Sequence, residues 1–510
     1  MKFWPFGKAS QPARRNPPPQ LRRSYSAAMT EARFSDFSRS KGSADYELMI
    51  GLAAVREKAR NLARNSNTMR RYIRLLQQNV VGPAGFVYRC RVKMNNGKLD
   101  ITLNQDVEWA FWRWMQRPTV DGVMTGHEMQ KQAVATWARD GEYFIEIVTN
   151  STYVDGIALN PIESDMIDET LNTINPSTGN QIKMGVEVDS YGRPVAYHIL
   201  TQHPGDPGWY SKSAAKKYRR VDASKIIHVY ERLRPGQTRG EPPAAAAVNP
   251  VKMLDGYREA EVTGRRIAAS VMGFFKRALP QASQIDAIAD RPVADEEAQF
   301  EIDMSPGTFK QLPDGMDFTK FEATGSQTDY RQFETQVKKD IAMGLNISNF
   351  SLGMETEAVS FSTGRSVLLE DRDYYKMIQK FFIDSLMTPV FMAWLKSHII
   401  SDAPVIAPSK VRKVMDQSIF HGRGWDWVDP AKDVSANAEA LRTRQTSLSR
   451  VAAQRGIDLA DLLQEIADDE AMLKDHGLTL TVETATANSG KDTQDDDEPS
   501  SASDDTDSQG

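Results

Sequence analysis

The stretch NPVKMLDGYREAEVTGRRIAASVMGFFK, residues 249–276, sets the frame for the rest of the chain. Asn249 is a helix-capping residue type, and Pro250 suits the first helical position, where its absent N–H has no intrahelical acceptor to miss. Apolar Val251, Leu254, Val262, Ile267, Val271 and Phe275 recur behind it, which predicts one helix running to about Lys276, about 40 Å long at 1.5 Å per residue. The other faces hold Lys252, Asp255, Arg258, Glu259, Glu261, Arg265 and Arg266. That is more charge than a buried helix tolerates, so the rod is expected to face solvent or copies of itself.

Downstream, residues 277–326 break into short strands around SPGTFKQLPDGMDF. A second helix then opens near Asp329, with Tyr330, Phe333, Val337, Ile341 and Leu345 on one stripe. Two helices thus bracket a small β insertion. Gly344 to Ser362 reads as a loop, and a long helix runs from Thr363 towards His398 with Pro389 inside it, where a kink is expected. Ser435 to Leu473 reads as short helices divided at Gly456.

Upstream, Arg234 to Pro243 (RPGQTRGEPP) is a breaker-rich joint. Before it, Tyr153 to Tyr230 alternates short β-rich runs with the turn signals NPSTGN, SYGRP and HPGDPG, which predicts a meandering antiparallel sheet. Glu142 to Val148 alternates as a strand. Ile101 to Arg139 reads as two helices, the first ending near Pro118 and the second opening at Thr125. Trp109, Trp112 and Trp114 are expected to serve packing. From Asp45 to Val81, Leu48, Leu52, Val55, Ala59, Leu62, Met69, Ile73 and Leu76 recur at helical spacing, with basic residues on the other face and Gly82-Pro83 as the stop. The fold class expected is α+β.

The 510 residues, 40% hydrophobic and 26% charged, supply a core for several folded units. The lone cysteine, Cys90, excludes an internal disulfide and any multi-thiolate zinc cage, and fits assembly in a reducing compartment such as the cytoplasm. No apolar run approaches a membrane span or a signal-peptide core. The net charge of −5 is unevenly spread: residues 479–510 carry nine acids against Lys491, and residues 1–33 carry seven bases against Glu31. These are −8 and +6, which leaves the body near neutral at −3. The Pro-, Arg- and Ser-rich residues 1–40 and the acidic tail are compositionally disordered.

No phosphate-cradling Gly-x4-Gly-Lys-Ser/Thr loop occurs, and NNGK at Asn95 to Lys98 lacks the leading glycine. His127-Glu128 lacks the second histidine of a zinc-protease helix, and no Gly-x-Ser-x-Gly elbow is present. The acids Glu163, Asp165, Asp168 and Glu169 of IESDMIDE are the sole cluster that invites two-metal phosphodiester chemistry. With no partner histidine in the sequence around them, they read instead as a solvated turn edge. Asp140 and Glu142 of RDGEYF are likewise expected to face water, and His228 of IIHVYE to be a core histidine. No catalytic residue, cofactor or metal is expected.

Five stretches, taken together and in order, give the chain a family likeness: NVVGPAGF (79–86), RDGEYF (139–144), VEVDSYGRPVAYHI (186–199), IIHVYERLRPGQTRGEP (226–242) and FSTGRSVLLEDRDYY (361–375). The order resembles that of lambda-type phage portal proteins over roughly Ala44 to Leu395. That resemblance implies a non-enzymatic, ring-forming portal fold, usually of twelve subunits, with wing, stem, clip and crown. By the same analogy residues 1–40 are a basic arm, 41–243 the wing, 244–276 one stem helix, 277–326 the clip and 327–347 the returning stem helix. Residues 348–430 then hold the tunnel loop and long wing helix, 431–478 the crown and 479–510 the acidic tail.

The partners implied are double-stranded DNA passing non-specifically, the large terminase subunit, head-completion or tail-connector proteins, and capsid and scaffold proteins. The location implied is the virion vertex, after assembly in the host cytoplasm. A conduit must let DNA slide, and a near-neutral body suits that better than a strongly basic wall, which would grip phosphates. Lys338 and Lys339 are the candidate DNA-facing bases. The competing readings are a terminase-associated nuclease or capsid protease using the acidic cluster, and a minor capsid or adaptor protein without a bore.

Overall fold

The computed structural model describes residues 41–206, 217–270, 274–277, 316–319, 327–353, 360–401, 404–425 and 430–477. The chain forms two compact units, Met1–Phe420 and His421–Gly510. The expectations for residues 1–40 and 479–510, and most of those for 277–326, lie outside the described residues.

The first unit opens with helices α1 (Ala44–Asn65) and α2 (Asn67–Leu76). The Ser43 hydroxyl accepts the Tyr46 N–H at the start of α1, satisfying one of the donors a helix leaves free there. At its end α2 widens into a π turn over Gln77–Val81, closed by the Gly82 N–H on the Gln77 carbonyl. Strand β1 (Val87–Cys90) and helices α3 (Ile101–Met115) and α4 (Gly126–Asp140) follow. A capping box starts α4: Thr125 and Glu128 satisfy each other's backbone N–H groups. Left-handed Gly141 ends it.

Two antiparallel sheets come next. Strands β2 (Glu142–Thr149) and β3 (Ile157–Ile162) pair with β9 (Ile226–Tyr230) in the order β3-β2-β9. The expected meander is present as β4 (Thr173–Ile174), β5 (Gln181–Lys183), β6 (Val186–Val188), β7 (Pro194–Leu200) and β8 (Tyr218–Asp222). The two sheets share a core of Phe144, Ile162, Ile167, Val186, Tyr197, Ile199 and Val221.

Helix α5 spans Ala245–Ser270, so it begins four residues before the expected Asn249 cap and carries Pro250 within it. The alanine run explains the early start: Ala244, Ala247, Val248, Val251 and Leu254 are all buried, and burial outweighs the one hydrogen bond that Pro250 forgoes. The far end is also corrected, because residues 274–276 belong to strand β10 (Phe274–Arg277), which pairs antiparallel with β11 (Met316–Thr319). Helix α6 (Gln327–Gly344) returns antiparallel to α5. Arg258 donates Nε–H and Nη2–H to Glu334 Oε1 at 2.9 and 2.7 Å, and Tyr257 stacks on Tyr330 with ring centroids 5.6 Å apart. The pair is not closed over: Met253, Val262 and Met343 are each more than half exposed, and so is Phe333, although its ring meets Tyr257 edge-on at 4.9 Å.

Within the stretch expected to be loop, Asn349–Gly353 forms a short helix, α7. The long helix is present as α8 (Phe361–Phe382) and α9 (Thr388–His398), joined through a second π turn, Ile383–Met387. Pro389 has no N–H for the Ser385 carbonyl, and the backbone answers by widening so that the Thr388 N–H reaches Ile383 O. Its buried face, with Phe382, Phe391 and Trp394, packs on Trp137, Tyr88 and Phe111. The Gln379 amide donates to the carbonyls of Asn79 and Val80, both at 3.2 Å, in the first π turn. Helix α10 (Val411–Asp416) and strand β12 (Ser418–His421), paired with β1, finish this part of the chain.

The second unit contains α11 (Pro430–Arg442), α12 (Leu448–Gln454) and α13 (Leu459–Asp475), with the expected division at Gly456. Gly424 and Gly456 meet backbone to backbone, where a side chain on Gly424 would overlap Arg455.

The three tryptophans part company. Trp114 is buried and donates to Ile157 O, whereas Trp109 and Trp112 are 57% and 59% exposed. All three lie on α3, but the helix buries only the stripe through Leu103, Val107, Ala110, Phe111 and Trp114.

Candidate functional site

Asp140, Glu142, Asp165, Glu169 and His228, all singled out in the sequence, gather at one place, the joint where the sheets hand over to α5. Gly141 turns the chain sharply from α4 into β2, which puts Asp140 and Glu142 on either side of a tight bend. Both carboxylates are fully buried rather than facing water, which corrects the expectation for that pair. Burial of a bare carboxylate costs several kcal/mol, so each must be surrounded by donors.

Glu142 is. Its Oε1 accepts from Arg56 Nη2 at 2.9 Å and from Arg239, and its Oε2 accepts from the Gly240 N–H at 3.0 Å and His228 Nε2 at 3.1 Å. Burial alone would raise this carboxyl, but Arg239 and Arg56 hold it well below the usual carboxylate range. Arg239 is equally enclosed and spends its remaining donors on three carbonyls: Ile167 at 2.9 Å, Met184 at 2.6 Å and Ser164 at 3.2 Å. All five of its N–H groups are engaged. One side chain in the joint thereby pins β2, the 3-10 turn after β3 and the loop between β5 and β6.

Asp140 accepts from Arg60 and Arg139, each through two nitrogens. Arg56 and Arg60 come from the basic face of α1, which the joint therefore partly buries. Arg56 is 1% exposed and also reaches Asp140 O and Glu169. Arg60 reaches Asp165. Four guanidinium groups, of Arg56, Arg60, Arg139 and Arg239, therefore face four carboxylates, of Asp140, Glu142, Asp165 and Glu169.

The IESDMIDE acids are thus not a solvated turn edge. Asp168 is buried and accepts from the Tyr218 hydroxyl at 2.5 Å and from Thr170, and only Glu163 is substantially exposed. A histidine does lie beside them: His203 Nε2 stands 3.2 Å from Glu163 and 4.0 Å from Asp165. The three could in outline ligate a cation. The local chemistry does not fit one, because His203 Nδ1 accepts the Gly205 N–H, which leaves the proton on Nε2, pointing at the carboxylates. Arg60 already supplies the positive charge there.

His228 is the core histidine expected. It is sandwiched between Phe144 and Tyr230, both at 4.1 Å between centroids, with Tyr197 Oη at Nδ1 and Glu142 at Nε2. Burial pushes it down to about 4, against the pull of Glu142. A second buried His–Asp pair, His398 Nδ1 to Asp155 at 3.1 Å, has Ser397 and Ser401 nearby. It is no nucleophile-activating triad: Nε2 accepts the Val405 N–H, and both hydroxyls donate to backbone carbonyls.

Glu187, in the meander, repeats the pattern. Arg220, Asn180, Thr178 and Asn175 surround it and hold it far below the ordinary range. Asp371 anchors the start of α7, accepting from the Ser348 N–H and from the Ser348 and Ser351 hydroxyls. Several of these fixtures, namely Asp140, Glu142, Glu187, His228, Arg239 and Asp371, fall within the five quoted stretches.

The phage portal protein model of the lambda family matches residues 30–379. The chain belongs to that family. A probable portal protein of Halomonas phage phiHAP-1 is 31% identical over 502 residues, covering 96% of this chain and 95% of that one. Portal protein B of Escherichia phage lambda is 22% identical over 458 residues, covering 83% and 84%. Among solved structures, the neck of an empty GTA particle is 12% identical with a TM-score of 0.41, covering 84% of this chain and 98% of that one. An HK97 family phage portal protein from Corynebacterium diphtheriae is 12% identical with a TM-score of 0.29, covering 74% and 96%.

Membership makes this a structural protein of the virion, a portal subunit with a role in DNA packaging. No described helix is long and apolar enough to cross a membrane. The DNA-facing candidates fall on α6. Lys339 is exposed, whereas Lys338 is half-buried and paired with Glu334 at 3.3 Å.

Proposed function

We propose that twelve copies close into a ring whose bore passes double-stranded DNA, with α5 and α6 as the stem, residues 277–326 as the clip, residues 41–243 and α8–α9 as the wing, and α11–α13 as the crown. The observation that carries this reading is the antiparallel pair α5–α6. It is tied by Arg258–Glu334 and Tyr257–Tyr330 along its inner seam, yet keeps Met253, Val262, Phe333 and Met343 more than half exposed. Flanks of that kind suit head-to-tail neighbours in a closed heterologous ring.

Lys339, and to a lesser degree Lys338, supply the sparse positive charge of the bore. The large terminase subunit and later the head-completion or tail-connector proteins dock at the clip, and capsid and scaffold proteins surround the wing. Before assembly the chain resides in the host cytoplasm. Electron microscopy of the purified full-length chain tests the reading. Rings with a central hole wide enough for a duplex are the expected image, and a field of monomers overturns it.

A further inference from the structure

The second unit ends in a helix that its own neighbours do not cover. Along α13, Leu459, Leu462, Leu463, Ile466 and Leu473 share one stripe at helical spacing, yet no residue of the helix is buried. Leu459, Leu462 and Leu473 are partly covered, while Leu463 is 53% and Ile466 44% exposed. Most of a helix's stability in a protein comes from tertiary packing of its apolar face, so the stripe of this 17-residue helix calls for an occupant.

Charge says which one. Helix α13 carries Asp461, Glu465, Asp468, Asp469, Glu470 and Asp475 against Lys474, a net of −5. That disfavours nucleic acid, and it disfavours the chain's own acidic residues 479–510. Residues 430–455, from α11 through α12, carry Lys432, Arg442, Arg444, Arg450 and Arg455 against Asp433 and Glu439, a net of +3. Arg442, Arg444 and Arg450 are exposed, and so is Leu448, at 58%, on the same short stretch. The second unit thus has an acidic apolar ridge and a basic apolar ledge.

We infer that α13 of one copy docks on the α11–α12 turn of the next, Leu463 and Ile466 against Leu448, with Glu465, Asp469 and Glu470 facing Arg444 and Arg450. The contact is heterologous, so repeated around a closed ring it leaves no ridge or ledge unused. It rests on the ring reading given above, and it names a salt-sensitive seam in that ring distinct from the α5–α6 flanks.

The test uses two full-length chains, one carrying Ile466→Cys and the other Leu448→Cys, co-produced and oxidised. Each has a single introduced thiol, and Cys90 is buried, so a disulfide between them can only join two copies. The expected result is a mixed disulfide dimer absent from either chain alone. A charge-reversed chain, Arg444→Glu with Arg450→Glu, is expected to elute as smaller species at low salt and to recover rings when Glu465→Arg and Glu470→Arg are added. Closed rings by microscopy with no mixed disulfide overturn this interface and leave the ring intact as a reading. An unmodified chain that forms no ring overturns both.

Discussion

Arg239 and Glu142, 97 positions apart in sequence, meet with both side chains fully buried: the guanidinium Nε–H is shared between the two carboxylate oxygens at 3.0 Å, and a second donor reaches Oε1. Arg239 stands six residues before α5 begins, and Glu142 is the first residue of β2. The pair therefore fixes where the first long helix leaves the sheets. A buried ion pair contributes little net stability over an apolar core of the same shape, but breaking one leaves an uncompensated charge.

Glu142→Gln keeps the shape and removes the charge, leaving Arg56 and Arg239 buried against a neutral amide. The expected cost is about 3–5 kcal/mol, read by chemical denaturation of the full-length chain. Glu142→Gln combined with Arg239→Met is expected to be less damaging than Glu142→Gln alone, because the stranded cation is gone. An unchanged denaturation midpoint for Glu142→Gln would show that the joint does not depend on this charge.

The same site sets a pH dependence. His228 is pushed from 6.5 down to about 4 by burial, so the unfolded chain binds the proton first as pH falls. Stability from this group is complete above about 6.5 and declines as pH drops through that window towards 4. Glu142, depressed by Arg239 and Arg56, adds a further loss below the ordinary carboxylate range as pH falls towards its own lowered value. His228→Asn is expected to flatten the decline between pH 6.5 and 4 specifically. A slope in that interval identical to the unmodified chain's would assign the titration elsewhere.

Much of this was legible in the sequence, and the misses have physical causes. Spacing of apolar residues found the helical stretches of α1–α2, α6 and α8, and turn signals between β-rich runs found the meander, but the break at Ser66 between α1 and α2 left no mark in the spacing. Spacing could not place the start of α5, since Pro250 marks a boundary locally and the burial of Ala244 and Ala247 is a tertiary fact. Acidity in IESDMIDE suggested water, because a linear reading does not show Arg56 and Arg60 arriving from α1 to neutralise it. The glycines in RDGEYF and QTRGEP were the available clue. Carboxylates and arginines beside glycines at two distant positions are consistent with backbones that touch, and Gly141 and Gly240 do.

Gly240→Ala follows from that contact. A Cβ on Gly240 would lie 2.1 Å from the Gly141 carbonyl oxygen and 2.8 Å from Tyr230 Cβ, both fixed by the strand pairing of β2 with β9. The substitution must part the joint from the β2 bend, and the Gly240 N–H then loses Glu142 Oε2 as its acceptor. A destabilisation of several kcal/mol and a loss of assembled particles are expected, in the range of severe single substitutions. Gly256→Ala on α5, where nothing lies within 4 Å of the added carbon, is the matched control and is expected to be neutral or mildly stabilising. Equal behaviour of the two variants in thermal melts would contradict the packing at the joint.

Lys338 and Lys339 are adjacent but not equivalent. Lys338 lies over Glu334, one turn back on the same helix, which Arg258 of α5 also engages, so its charge is largely neutralised within α6. Lys339 is exposed and is the better of the two for meeting a phosphate. Each phosphate neutralised steepens the fall of log affinity with log salt by about 0.9. Lys339→Ala is therefore expected to lower the salt slope of DNA binding by assembled rings and to reduce DNA retention in filled particles. Lys338→Ala removes an i,i+4 pair within α6 and leaves Arg258 on Glu334, so it should keep the salt slope and lower the unfolding temperature only slightly. If the double substitution packages and retains DNA as the unmodified chain does, neither lysine faces the bore, and the charge that steadies the duplex must be sought on other residues.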